Sequence, residues 1–330
     1  TYLYFGGTAY LGLQTHRAFQ KEIIKNIQKY GTNYGASRKS NVRFAVLGRM
    51  EAQLAEMASA EACATVSSGF LAGQLVLRHF SKPNYKHFYA PGTHVALHDG
   101  NSQNEPSFEV LIEKINTFLK SPSKEIPVLF MDSVYFDATN YPNFSWLKKL
   151  PTEKIVLVAD DSHAFGIVGP RGEGTYKTLS KFNFKELVVC GALGKGFALQ
   201  MGAVLGSANS IAQLTATDFY GGASPAAPAL AATFLDASEI YVEQLVLLKE
   251  NVQLFQNSVK NLSFFMWMDG YPCFTFQDEA FSDYLLQNNI VVTNFRYPTE
   301  NDALMSRIVI SAFHTMEDIA FLAMLCNQYQ

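Results

Sequence analysis

The sequence predicts an α/β protein: a mostly parallel central sheet flanked by helices, with a smaller α+β region at the C-terminal end. Three observations carry that expectation. Short runs of wholly apolar or small residues recur through the middle of the chain, "ACATVSS", "VLFMDSV", "KIVLVADDS", "ELVVCGA" and "GAVLGS", and such runs suit strands buried on both faces. Helix-compatible stretches such as "GFLAGQLVLRHF" and "SFEVLIEKINTFLKS" separate them, as alternating strands and crossover helices require. After "YGGASPAAPALAAT" the pattern changes to shorter strand and helix segments.

In order along the chain, Phe19, Ile23, Ile24 and Ile27 recur at helical spacing between His16 and Lys29, and the pattern stops at Tyr30-Gly31. The loop "GTNYGASRKSN" follows, and Leu47, Met50, Leu54 and Met57 then restart a helix. The alternating strands and helices come next. The small residues and prolines of 220–233 predict a loop and a domain boundary, followed by one long helix from about Pro228 through Val259. Beyond it "FFMWMDG", "PCFTFQ", "IVVTNFR" and "RIVISAF" alternate with helical patterns at "FSDYLLQNN" and "TMEDIAFLAMLCNQ". The expected organisation is an N-terminal segment at 1–30 packing with the small domain, a large domain at 31–227, and a linking helix with the small C-terminal domain at 228–330. No internal repeat or low-complexity stretch interrupts it.

Bulk properties exclude several classes. With 330 residues, 48% hydrophobic and 17% charged, the chain is expected to bury a substantial core rather than remain disordered. A net charge of −3 and a pI near 6.2 give no general attraction to nucleic acid or anionic membrane, so a phosphate-bearing ligand must be held locally. Cys63, Cys190, Cys273 and Cys326 are scattered singly among apolar neighbours, the pattern of buried free thiols in a reducing compartment. No apolar run approaches the roughly 20 residues that span a bilayer, and the start does not read as a signal peptide. A cytoplasmic location is the expectation. The chain begins at Thr1 without a Met, so a few preceding residues are expected.

The chemistry-bearing residues lie near strand ends. In "VVCGALGKGFALQ", Lys195 stands between two glycines just after a buried strand, where a lysine of lowered pKa serves as an amine nucleophile toward a carbonyl. A solvated loop lysine is the plain alternative. In "KIVLVADDSHAFG" a strand runs into Asp160, Asp161, Ser162 and His163, and ligand groups in such sheets collect at carboxyl ends. An Asp there can pair with a protonated pyridine nitrogen while His163 meets a phenolic oxygen. The same types can hold a metal, but no second His or Cys cluster at ligand spacing supports one. "SSGF" joins a strand to a helix, so backbone N–H groups around Ser68, Gly69 and Phe70 could cradle a phosphate; a simple helix cap reads the same way. His94 could stack on a flat ring or be merely solvated, and His87 and His98 take no role.

In combination and order, these segments resemble the α-oxoamine synthase family of fold-type I pyridoxal-phosphate (PLP) enzymes. The resemblance covers nearly the whole chain: "AYLGL", "YGTNYGASR", "SSGF", "THVALHDG", "VLVADDSHAFGIVGPRGEGT", "GALGKGF" and "SRIVISAFHTMEDI". It implies Lys195 as the Schiff-base lysine and base, Asp160 as partner of the pyridine nitrogen, His163 as the phenolic-oxygen contact and His94 as the stacking residue. Ser68, Gly69 and Phe70 would lie beside the phosphate, and Ser224 in "YGGASPAAP" would reach a neighbouring subunit's phosphate in a homodimer. Arg307 would bind the substrate carboxylate, with Arg296 nearby. The implied reaction joins an amino acid to an acyl-CoA thioester, giving an α-amino ketone with loss of CoA and CO2.

Some positions depart from the pattern. Ala9 replaces the family's Asn, Ala192 a phosphate-binding Thr, and Phe136 a Ser near the ring, while Ala223-Ser224-Pro225 keeps the S/T-S-M-P-P stretch only in part. The stretch after His94 reads as shortened, and the leading helical segment that helps cover the substrate is expected to be missing. These regions bear on acyl-CoA access, which leaves an aminotransferase, aldolase, decarboxylase or non-catalytic PLP-binding homologue as alternatives.

Overall fold

The carboxyl ends of four parallel strands converge on one edge of the main sheet and fix where chemistry can occur. The computed structural model describes residues 1–100, 103–136, 140–296, 300–301 and 304–329. Its strands are β1 (Leu3–Phe5), β2 (Ala62–Val66), β3 (Tyr85–Tyr89), β4 (Ile126–Asp132), β5 (Val156–Asp160), β6 (Glu186–Ala192), β7 (Gly202–Gly206), β8 (Met266–Trp267), β9 (Cys273–Thr275), β10 (Ile290–Arg296) and β11 (Leu304–Val309).

The main sheet has the order β2-β7-β6-β5-β4-β3. β3 to β6 run parallel, and β7 pairs antiparallel with both β2 and β6. This is the mostly parallel, helix-covered sheet the apolar runs predict. Every residue of β5 is buried, because helices cover both faces of a parallel sheet and leave no side for polar residues. β3 was not legible as an apolar run: it includes exposed Lys86 and half-buried His87. It lies at the sheet edge, where water still reaches one side.

The second sheet, β1-β10-β11-β9-β8, is antiparallel except for the parallel pair β1–β10. The N-terminal strand therefore docks on C-terminal residues. Phe5, fully buried, stacks on His314 at 3.9 Å between ring centres.

The single long helix expected from Pro228 is two helices, Pro228–Asp236 and Ser238–Ser258, meeting at Ala237. Ser238 Oγ donates to the Leu235 carbonyl at 3.0 Å, a local bond that competes with the helical ladder and bends it. Asp236 is held from the other side by Lys25 at 3.1 Å and by Asn26 Nδ2 at 3.2 Å. The four cysteines are free, with Cys190, Cys273 and Cys326 buried and Cys63 half-buried. Among the described residues no helix is long and apolar enough to cross a membrane.

Candidate active site

The site begins with two carboxylates presented side by side. Asp132 ends β4 and Asp160 ends β5, directly opposite each other in the ladder. Asp132 Oδ1 accepts the backbone N–H of His94 at 2.9 Å, and Asp160 Oδ1 accepts that of Ser162 at 2.7 Å. Burial, and then the neighbouring Asp160 charge, push the Asp132 carboxyl well above the usual range, against the pull of the His94 N–H and Lys195.

Asp161 has a different task. Its carboxylate accepts from Thr175 N at 2.7 Å and Thr175 Oγ1 at 2.6 Å, and its carboxyl is pushed up to about 6 by burial. Successive strand-end side chains face opposite ways, so one acid of the pair faces the site and its neighbour pins a loop.

Lys195 follows β6 in a loop closed by the Leu193 N–H donating to the Met201 carbonyl at 2.9 Å. Its Nζ lies 2.8 Å from His163 Nε2. Burial lowers the Lys195 pKa, the Asp160 and Asp132 charges oppose the shift, and Arg307 adds to it. Burial likewise takes His163 well below its usual value, helped by Lys195, Arg307 and His94. A neutral imidazole thus faces an amine primed for nucleophilic use.

Of the two glycines flanking that lysine, only Gly196 is in forced close approach. A Cβ on it would lie 2.1 Å from the Phe165 carbonyl oxygen, whereas one on Gly194 would meet nothing nearer than 3.6 Å. The contact locks the lysine loop to the loop carrying His163.

His163 has two further partners that the sequence reading did not single out. Tyr10 OH lies 2.8 Å from His163 Nδ1, and Tyr271 OH donates to the His163 carbonyl at 2.8 Å. Tyr10 is 1% exposed, and burial holds its phenol above the usual range, so it is neutral. No local pattern could reveal a partner 153 residues away. Asp132 was also missed, although "VLFMD" repeats the apolar-run-then-acid signature of "VLVAD".

A cavity of about 1000 Å³ opens between the two sheets, with His94, Asp132, Phe136, His163 and Arg307 in its wall. His94 is half-buried; burial lowers its pKa while Asp160 resists. Arg307, on β11 opposite Thr293 and Thr275, is 8% exposed. Arg296 ends β10, exposed, and is not among the residues lining this cavity.

Ser68 caps the helix Gly69–Phe80, its Oγ accepting from Leu71 N at 3.1 Å. A Cβ on Gly69 would come within 2.4 Å of Ala192 Cβ, so only glycine lets the helix start sit against the end of β6. Phe70 is exposed beside it. The Ser224 carbonyl accepts the Ser67 N–H of the same chain at 3.1 Å.

A family model described as aminotransferase class I and II matches residues 5–324. The chain belongs to this family. It is a PLP-dependent transferase. It is 25% identical over 339 residues to 8-amino-7-oxononanoate synthase of Lysinibacillus sphaericus, covering 96% of this chain and 86% of that one. Its fold is similar to that of the solved Sphingomonas wittichii serine palmitoyltransferase, with TM-score 0.81, 15% identity, and 99% and 86% of the two chains covered. The 8-amino-7-oxononanoate synthase of Francisella tularensis superposes with TM-score 0.75, 18% identity, and 100% and 98% covered. Both names belong to the α-oxoamine synthases that the motifs resemble.

The residues of this PLP-dependent transferase fit its cofactor. A strand-end carboxylate, a neutral imidazole 2.8 Å from a lysine amine, and a helix N-terminus at Gly69 are the donor types that a pyridine nitrogen, a phenolic oxygen, an aldehyde and a phosphate require. The structure brings Asp160, His163, Lys195 and His94 into one electrostatic neighbourhood, of which His94 and His163 line the cavity together with Arg307, while Asp160 and Lys195 do not line it.

Proposed function

We propose that this chain condenses an amino acid with an acyl-CoA thioester, giving an α-amino ketone with loss of CO2 and CoA. The observation that carries the reading is the Lys195–His163 contact at 2.8 Å in electrostatic reach of Arg307. The relatives named 8-amino-7-oxononanoate synthase and serine palmitoyltransferase support the acyl-transfer step.

When bound, PLP supplies an electron sink for the substrate's α-carbanion. Lys195 would hold the cofactor through its Nζ, and the same nitrogen, whose pKa burial lowers, is the group placed to take a proton from the substrate's α-carbon. Asp160 would pair with the pyridine nitrogen, His163 would hold the phenolic oxygen, and His94 would lie against the ring. The helix start at Ser68, Gly69 and Phe70 binds the phosphate, with Ser224 contributed across a homodimer. Arg307 takes the α-carboxylate through its planar fork, and Arg296 serves at the outer rim. The cavity, about 1000 Å³, accommodates an amino acid and the reacting end of an acyl thioester. Residues 31–227 form the cofactor-bearing unit, and 228–330 together with 1–30 form the smaller one.

The test is to load purified protein with PLP, add amino acids with and without acyl-CoA thioesters, and follow free thiol alongside the visible absorbance of the lysine-linked cofactor. Amino-acid-dependent thiol release is expected. Conversion to pyridoxamine without thiol would instead identify an aminotransferase.

A further inference from the structure

Phe136 stands where the resembled family has serine, and its ring has two neighbours that matter. The Arg307 guanidinium carbon lies 4.1 Å from the ring centre, over its face. The same ring meets His163 edge-on, with centres 4.9 Å apart. Phe136 is itself anchored: its carbonyl accepts from Thr275 Oγ1 at 3.4 Å, and Tyr271 packs against its ring at 6.2 Å. Arg307 also donates from Nη2 to Met305 Sδ, a weak acceptor. A guanidinium at 8% exposure is largely stripped of water, the condition under which attraction to an aromatic face is strongest.

We propose that Phe136 is a positioning residue for substrate recognition: its ring face clamps the Arg307 guanidinium flat, so that the N–H edge is presented to a planar α-carboxylate in the cavity. The inference rests on the reading of Arg307 as the carboxylate site. A guanidinium carries all five of its N–H donors in one plane. Stacked on a ring, it keeps that plane fixed and leaves the donors pointing sideways, the arrangement a bidentate carboxylate needs. A serine at this position offers a hydroxyl but no face.

The experiment uses the PLP-loaded chain and the standard amino acid that gives the largest change in cofactor absorbance. Ethylamine, an amine without a carboxylate, is titrated in parallel. Phe136→Leu should raise the half-saturating amino-acid concentration roughly threefold to thirtyfold, the span from an exposed to a desolvated cation–π contact, while leaving PLP retention and the ethylamine titration unchanged. Phe136→Tyr, which restores the face, should bind within about twofold of wild type. Phe136→Met replaces Phe136→Leu if the latter does not fold.

Equal weakening of ethylamine and amino acid would mean general loosening and overturns the clamp, as would an unchanged amino-acid titration in Phe136→Leu. Arg307→Leu separates the two levels. If it binds the amino acid like wild type, the carboxylate reading falls and takes the clamp with it; if it weakens binding while Phe136→Leu does not, the clamp alone falls. An absence of any amino-acid-induced change in wild type overturns both.

Discussion

Gly194 and Gly196 flank the same lysine, and the structure predicts opposite results when each is changed to alanine. Neither has a positive φ, so neither substitution strains the backbone. At Gly196 the new Cβ would sit 2.1 Å from the Phe165 carbonyl oxygen and 2.9 Å from Gly166 Cα, both backbone atoms. Ordinary contacts lie near roughly 3.5 Å, so one loop must retreat by more than about 1 Å. Overpacking of this kind costs about 1–3 kcal/mol, offset in part by a gain of about 0.4–1 kcal/mol from the less flexible unfolded chain. The net loss should be roughly 1–2 kcal/mol.

The retreat also moves Lys195 away from His163, which now lies 2.8 Å off. A displacement near 1 Å at a reacting group costs on the order of 100-fold, so borohydride trapping of PLP should slow by roughly 10- to 100-fold. Gly194→Ala meets nothing nearer than 3.6 Å and should be neutral to about 1 kcal/mol more stable. Urea unfolding of the cofactor-free chain and timed trapping measure both effects. Wild-type stability and trapping in Gly196→Ala, or equal damage from Gly194→Ala, would refute the argument that Gly196 alone holds the two loops together.

Other outcomes follow from the same geometry. Lys195→Ala should abolish borohydride-trapped cofactor while circular dichroism shows a folded chain; in wild type, the rate of capture should reach half its maximum below the ordinary lysine pKa, since burial lowers it. Tyr10→Phe removes the partner of His163 Nδ1 and should cost about 1 kcal/mol of stability, while the pH midpoint of the cofactor's visible band moves; an unchanged midpoint would show that the phenol does not tune the imidazole. Asp161 binds its proton more tightly when folded, so its stabilising contribution is full below about pH 4 and is lost as pH rises through about 6. Between pH 4 and pH 7 wild type should therefore lose about 2 kcal/mol more than Asp161→Asn in urea titrations.

Lys195, Asp160, His163 and the apolar strands beside them were legible because each signal is local. A fully buried parallel strand must be apolar throughout, and its carboxyl end is the first place a polar group can stand, so "VLVADDSH" and "VVCGALGKG" declare both strand and site. The sequence alone thus determined the α/β class, its motifs led to the family, and its local signals put Lys195 and Asp160 forward as candidates. Without the resemblance, the residues alone did not separate Asp160 from Asp161, whose different tasks follow from the direction each side chain takes at the strand end. Nor could the sequence pair Tyr10 with His163, or stack Arg307 on Phe136, since the partners stand 153 and 171 positions apart in the sequence. Those contacts exist because β1 crosses to β10 and β11 brings Arg307 to the cavity wall. Hydrophobic burial, which is non-directional, is written in composition and spacing, whereas directional contacts between distant residues are decided when the sheets pack.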